Sequence, residues 1–146
     1  MTPPKILFVC NQNSVRSPMA AALLRLNDAD NDADSAQIDS AGVYEGGLDP
    51  FVEIVMGELH VDMNSHEPKT LKSVDIGSFD RIIALTPEAA LAIRESAPDA
   101  CIEFWDVENP SEERGGRNAV LDAYRRVREE LQTRLRTRFP EFHNNP

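Results

Sequence analysis

Lys5–Cys10 (KILFVC) leaves this chain few options. A short, apolar, β-branched run of this kind reads as a strand buried in a parallel sheet. It passes directly into the polar stretch Asn11–Val15, which has no apolar period and reads as a loop. Ser17 then reads as a helix cap with Pro18 at the first helical position, and the helix runs on through Leu26. Strand, loop and helix N-terminus in immediate succession form a layout suited to binding an anion.

The rest of the chain repeats the alternation. Asn27–Ser35 (NDADNDADS) is an acidic loop, Ala36–Ser40 a second strand, and Asp49 or Pro50 opens a helix reaching about His60. That helix is expected to bury Phe51, Ile54, Val55 and Leu59. Asp80–Leu85 and Ala100–Trp105 read as strands three and four, with a helix over Pro87–Ser96 between them. The last helix covers Asn118–Arg138, where Val120, Tyr124, Val127, Leu131 and Leu135 recur at steps of three and four. Phe139–Pro146 is expected to fray, and Trp105 to be core. Strands alternating with helices predict an α/β fold: a doubly wound, three-layer sandwich around a four-stranded parallel sheet. Its ligand would lie beyond the carboxyl ends of the strands, where Cys10 falls.

With 146 residues the chain suits one domain over 1–146, the last eight residues being tail. The N-terminus carries no apolar signal core and Ile6–Cys10 is too short to span a bilayer, so the expected location is cytoplasmic. A net charge of −10 argues against nucleic-acid and anionic-membrane partners. Eight of the twelve arginines lie between Arg114 and Arg138 and read as a solvated helix face with i,i+4 pairing. The alternating Asp28, Asp30, Asp32 and Asp34 are similar in spacing to a calcium-binding loop. Ala33 stands where that loop needs Gly and Asp39 where it needs Glu, so a solvated acidic loop is expected. Two cysteines, Cys10 and Cys101, make neither a disulfide scaffold nor a zinc site.

The chemistry concentrates in Cys10-Asn11-Gln12-Asn13-Ser14-Val15-Arg16-Ser17. Main-chain N–H groups of a loop curling into a helix can converge on an oxyanion, and the helix dipole adds to their field. Arg16 can offer two parallel hydrogen bonds to a tetrahedral anion. The same field favours thiolate over thiol, and the Ser17 hydroxyl can stabilise the sulfur further. The competing reading, a buried strand-end cysteine and a surface arginine, leaves a cation at a helix N-terminus where the dipole disfavours it.

These residues resemble the loop of the low-molecular-weight protein tyrosine phosphatases and of the related thioredoxin-coupled arsenate reductases. Cys10, Asn13, Arg16 and Ser17 match that pattern. So do Asp39–Gly42, which brings in Ser40, then Asp49-Pro50, Asp62–Lys69, Phe79–Leu85 and Glu103–Val107. The resemblance implies the phosphatase-like fold and Cys10 as nucleophile, with Arg16 and residues Asn11–Ser17 binding phosphate. It implies Asn13 held by His66, with Ser17 and Ser40 in support, and a role in proton transfer for position 109. No metal or organic cofactor is implied.

Three departures qualify these expectations. Gln12 replaces a glycine, which predicts altered loop geometry or a partly blocked pocket. The proton-donating aspartate of the family's Asp-Pro is Asn109 here. Loss of a general acid typically costs about 10²–10⁴ in rate, and Asp106, Glu108, Glu112 and Glu113 read as solvated rather than as replacements. Thr86 occupies the place of the first relay cysteine, and Cys101 is expected to be core, so an internal disulfide relay is not expected. Tyr44 is a candidate for the pocket edge, whereas His60 and His143 have no identifiable partners. The primary expectation is a phosphate-monoester hydrolase acting through a cysteinyl-phosphate and weakened by Asn109. The alternatives are an arsenate reductase using an external thiol, and a non-catalytic module that binds a phosphorylated protein or a small phosphate or arsenate oxyanion.

Overall fold

The computed structural model of the chain describes residues 3–28 and 36–142. Strands β1 (Lys5–Cys10), β2 (Gln37–Gly42), β3 (Arg81–Ala84) and β4 (Ile102–Phe104) form one parallel sheet in the order β2-β1-β3-β4. Helices α1 (Arg16–Asn27), α2 (Pro50–Gly57), α3 (Pro87–Ser96) and α4 (Arg117–Arg138) cover its two faces. Ile6, Phe8 and Cys10 pack with α1, α2 and α4, while Leu7 and Val9 join Ile82, Ala84 and the α3 residues Ala89, Ala90 and Ile93. That division explains why β1 is an unbroken apolar run: both of its faces are interior. Burying Ile6, Leu7, Phe8 and Val9 completely contributes about 1.5–3 kcal/mol each. The chain leaves β1 toward β2 on one side and returns on the other as β3. The carboxyl end of β1 is therefore a topological switch point, where such sheets bind ligands. Among the described residues no helix is long and apolar enough to cross a membrane.

Several local expectations are corrected. Helix α1 begins at Arg16, after Val15, and Ser17 caps nothing because its hydroxyl is turned to Cys10. Helix α2 stops at Gly57 and buries Val52, Val55 and Met56, leaving Ile54 exposed, because α4 packs against a different stripe than the one expected. Strand β4 is only Ile102–Phe104, so Cys101 precedes it and is exposed rather than core. The tail does not fray at its start. Phe139 and Phe142 are buried, and Phe139 packs on Phe8 and Trp105. Residues 143–146, His143 among them, lie outside the described residues.

The arginines of α4 also do more than expected. Arg134 makes the i,i+4 pair with Glu130 at 3.1 Å, but Arg125 and the buried Arg128 reach across to Glu58 at 2.7 Å and bind α2 to α4. Those two guanidinium groups hold the Glu58 carboxyl down at about 2. The acidic loop lies outside the described residues over 29–35, which takes in Asp30, Asp32 and Asp34. Asp28, at its start, accepts from the Ala36 N–H at 2.9 Å, and Asp39 pairs with Lys69 at 2.7 Å.

Candidate active site

The loop between β1 and α1 is held from beneath by buried polar contacts. Asn13 adopts a left-handed backbone (φ 54°), which asparagine tolerates better than most residues. Its side chain is fully buried: Nδ2 donates to Ser17 Oγ and Ser40 Oγ, each at 2.9 Å, and Oδ1 accepts from the Lys69 N–H at 3.0 Å. His66 Nε2 lies 3.2 Å from the Asn13 carbonyl, so His66 reaches the main chain of Asn13 rather than its amide. Burial pushes the His66 imidazole below its usual range, outweighing the opposite effect of that carbonyl. Gly42 lets the loop lie close over β2, since a Cβ there would sit 2.7 Å from Asn13 N.

The sulfur of Cys10 lies at the base of this loop, buried and receiving donors from one side. Ser17 N–H donates to it at 3.4 Å, and Ser17 Oγ stands 2.9 Å away. The Ser17 hydroxyl already accepts from Asn13 Nδ2, and its single proton has two acceptors, Cys10 Sγ and Ala41 O at 3.3 Å. The shorter contact favours the sulfur, and an anionic sulfur would favour it further.

Above the sulfur the polar groups are unspent. Among the described residues, no main-chain N–H from Asn11 to Arg16 donates to a protein acceptor. Arg16 Nη1 donates to Val107 O at 3.1 Å, whereas its Nε is buried with no partner. A buried donor without an acceptor costs about 1–3 kcal/mol, which a bound oxyanion would offset. These groups open on a cavity of about 320 Å³ lined by Cys10, Asn11, Gln12, Ser14, Val15, Arg16, Tyr44, Asp49, Asn109 and Ser111. Gln12 has no positive φ, and its exposed side chain sits at the rim where Gly46 makes room: a Cβ on Gly46 would come within 2.9 Å of Gln12 Cβ. The pocket is open despite the missing glycine.

Proton donors are scarce at this cavity. Asn109 lines it, but Asn109 Oδ1 accepts from Ser111 N–H at 3.1 Å and Ser111 Oγ at 2.7 Å, capping the short turn Pro110–Glu112. Asp106, Glu108, Glu112 and Glu113 are all exposed and none lines the cavity. Asp49 is the one carboxylate in the lining. Its Oδ1 accepts from Phe51 N–H at 2.9 Å and its Oδ2 from the Tyr124 hydroxyl at 2.5 Å. Burial and that carboxylate together push the Tyr124 hydroxyl well above its usual range.

The second cysteine is remote from the first. Pairing of Leu7 with Ile82 and of Ile82 with Ile102 puts Cys101 level with Ile6, four residues from Cys10 along the strands. At roughly 3.3 Å per residue that is about 13 Å before the lateral offset is added, beyond disulfide reach. His60, with φ 60°, stands apart from the loop, and no three His, Cys, Asp or Glu side chains converge as a metal would require among the described residues.

This constellation is that of a cysteine-and-arginine oxyanion loop. The chain belongs to the low molecular weight phosphotyrosine protein phosphatase family, which matches residues 5–145. Its relatives differ in activity. It is 27% identical to an arsenate reductase of Bacillus subtilis over 90% of this chain and 91% of that one. It is 24% identical to a glutaredoxin arsenate reductase of Synechocystis (90% and 92% covered) and 30% identical to a protein-arginine-phosphatase of Geobacillus stearothermophilus (90% and 90% covered). Among solved structures, a mutant of YwlE from Bacillus subtilis superposes with a TM-score of 0.78 at 25% identity, covering 97% of this chain and 99% of that one.

Sequence reasoning did not anticipate the parts of five residues: Val107, Lys69, Asp49, Thr86 and Glu88. Val107 and Lys69 act through main-chain atoms, which leave no mark in side-chain type. Asp49 was legible only as a helix cap, which it also is.

Proposed function

We propose that this protein is an arsenate reductase that draws its electrons from an external thiol. The observation that carries the reading is an oxyanion cup above the Cys10 sulfur without a free acid beside it. A phenolate leaving group, with a pKa near 10, needs a proton from the enzyme. Arsenate carries protons on its own oxygens and leaves one of them as water, so Asn109 is a smaller handicap there. In this reading Arg16 and the amides of Asn11–Ser17 bind arsenate, Ser17 supports the thiolate, and Asn13, Ser40 and His66 keep the loop in shape.

The reaction balances as follows. Cys10 Sγ attacks arsenic, the S–As bond forms, and one As–O bond breaks to release water. A thiolate from glutathione, mycothiol or a glutaredoxin attacks Cys10 Sγ. The S–S bond forms, and the S–As electron pair stays on arsenic, which departs as arsenite. A second thiol reduces the mixed disulfide and restores Cys10. Two thiols are oxidised for each arsenate reduced. Cys101, exposed and a sheet-length away, takes no part.

Phosphate-monoester hydrolysis is the second reading, favoured by the same cup and by the 30% identity to a protein-arginine-phosphatase. There Cys10 attacks phosphorus, the ester oxygen leaves, and water hydrolyses the cysteinyl-phosphate. It predicts turnover of activated aryl phosphates above phosphotyrosine. The test is arsenite production from arsenate with each of the three thiols, beside hydrolysis of an activated aryl phosphate, for wild type and Cys10→Ser. Thiol-dependent arsenite formation lost in Cys10→Ser supports the first reading. Aryl phosphate turnover alone supports the second, and phosphate binding with neither activity would leave a binding module.

A further inference from the structure

We infer that Thr86 and Glu88, at the start of α3, are positioning residues for the anion loop and act through Asn11. The inference rests on the reading of that loop as an oxyanion cup. Thr86 is buried and caps α3: its Oγ1 accepts from the Ala89 N–H at 3.0 Å. Its one hydroxyl proton is donated to Asn11 Oδ1 at 2.7 Å. On its other side the Asn11 amide donates from Nδ2 to Glu88 Oε2 at 2.7 Å. A carboxylate accepts, so the Glu88 contact sets the amide orientation, and the Thr86 proton is donated to the Oδ1 that this orientation presents. Tyr44 N–H donates to the Asn11 carbonyl at 2.7 Å.

Both side-chain polar atoms and the carbonyl of Asn11 are thus engaged by groups from outside the loop, and its N–H is the polar group left over. Asn11 lines the cavity directly after the nucleophile, yet its side chain is turned to α3. Its part in binding is therefore the aim of its peptide. A donor held in place before the ligand arrives has no reorganisation to undergo when charge develops, which is where preorganised loops gain their effect. Thr86 and Glu88 stand 75 and 77 residues from Asn11 in the chain, so the fold rather than the loop sequence supplies this restraint.

The test is calorimetric titration of the full chain with inorganic phosphate, which needs no turnover of any kind. Asn11→Ala and Thr86→Val should each weaken phosphate binding about 5–10-fold, and Glu88→Gln, which keeps an uncharged acceptor, about 2–3-fold. Thr86→Ser should bind within about 2-fold of wild type, because it keeps both the cap and the donated proton. The deciding measurement is the double variant. If Thr86 acts through Asn11, Asn11→Ala with Thr86→Val loses no more than Asn11→Ala alone. Losses that multiply would show Thr86 to be merely a helix cap and overturn the inference. So would single variants, Glu88→Gln included, that bind phosphate as wild type does, with the cup reading left intact. A wild type that binds no phosphate removes the cup, and the inference with it.

Discussion

The floor of the site and its rim are built in opposite ways. The floor centres on Asn13, fully buried, with contacts to Ser17, Ser40, Lys69 and His66 that come from three separate parts of the chain. The rim around Asn109 is capped from within, by Ser111 two residues away, and Glu108 and Ser111–Arg114 are exposed. Changing one member of a buried polar network strands its partners, at about 1–3 kcal/mol each. Surface substitutions usually stay within about 0.5 kcal/mol. The fold therefore guards the floor of the cavity and leaves its rim open to change.

The comparison breaks most completely if the floor is dispensable. Cys10→Ser should lower both arsenite formation and aryl phosphate hydrolysis by at least about 10³-fold, since a hydroxyl in this setting is a far weaker nucleophile. Retention of either rate would remove Cys10 from the chemistry. Arg16→Lys keeps the charge but loses the planar fork, and kcat/KM should fall about 10²–10³-fold. Steady-state kinetics on the aryl phosphate give that figure directly, and a loss under about 3-fold would mean that the guanidinium does not touch the anion.

Asn109→Asp probes the rim. A carboxylate retains the acceptor that caps Ser111, so folding should be unaffected. Phosphotyrosine hydrolysis should rise by up to about 10²-fold, while arsenite formation changes by less than about 3-fold, because only the former lacks a proton donor. Equal gains on both substrates would show that arsenate also waits on an enzyme-borne acid, and would remove the main argument for preferring it.

How much of this was legible depends on whether the signal is local. The span of α3, Pro87–Ser96, and the heart of β1 follow from apolar patterning and capping chemistry, which the residues carry themselves. The Cys10–Arg16 spacing between strand and helix was likewise local. Cys101 and Phe139 were misread because an apolar residue near a predicted element is buried only if a distant partner arrives. Phe8 and Trp105 arrive for Phe139, while β4 ends before it can enclose Cys101. Ser17 is the instructive case. Ser before Pro signals a cap, but the sulfur seven residues earlier claims the hydroxyl. The contacts of Thr86 and Glu88 to Asn11 carry no local signature at all.

The smallest expected effect sharpens the comparison by asking what burial at the floor costs. His66 sits half-buried against Asn13, and its imidazole is pushed below the ordinary 6.5 by burial, with Arg25 and Lys69 acting in the same direction and Asp39 and the Asn13 carbonyl opposing. In the window between the lowered folded value and the ordinary one, the unfolded chain binds more protons than the folded chain. The contribution of His66 to stability is therefore complete above about pH 6.5 and drains away as pH falls through the folded value. The urea midpoint of wild type should exceed that of His66→Gln by a constant margin above that pH, and the two should draw together below it. Glu58, held at about 2 by Arg125 and Arg128 against an ordinary 4.5, adds a slope of the same sign only at lower pH, as the unfolded carboxyl takes up its proton, and this slope is common to both proteins. A wild type that gains on His66→Gln as the pH falls would mean that the carbonyl of Asn13 outweighs burial, making the floor of the site a proton-binding device rather than a dry support.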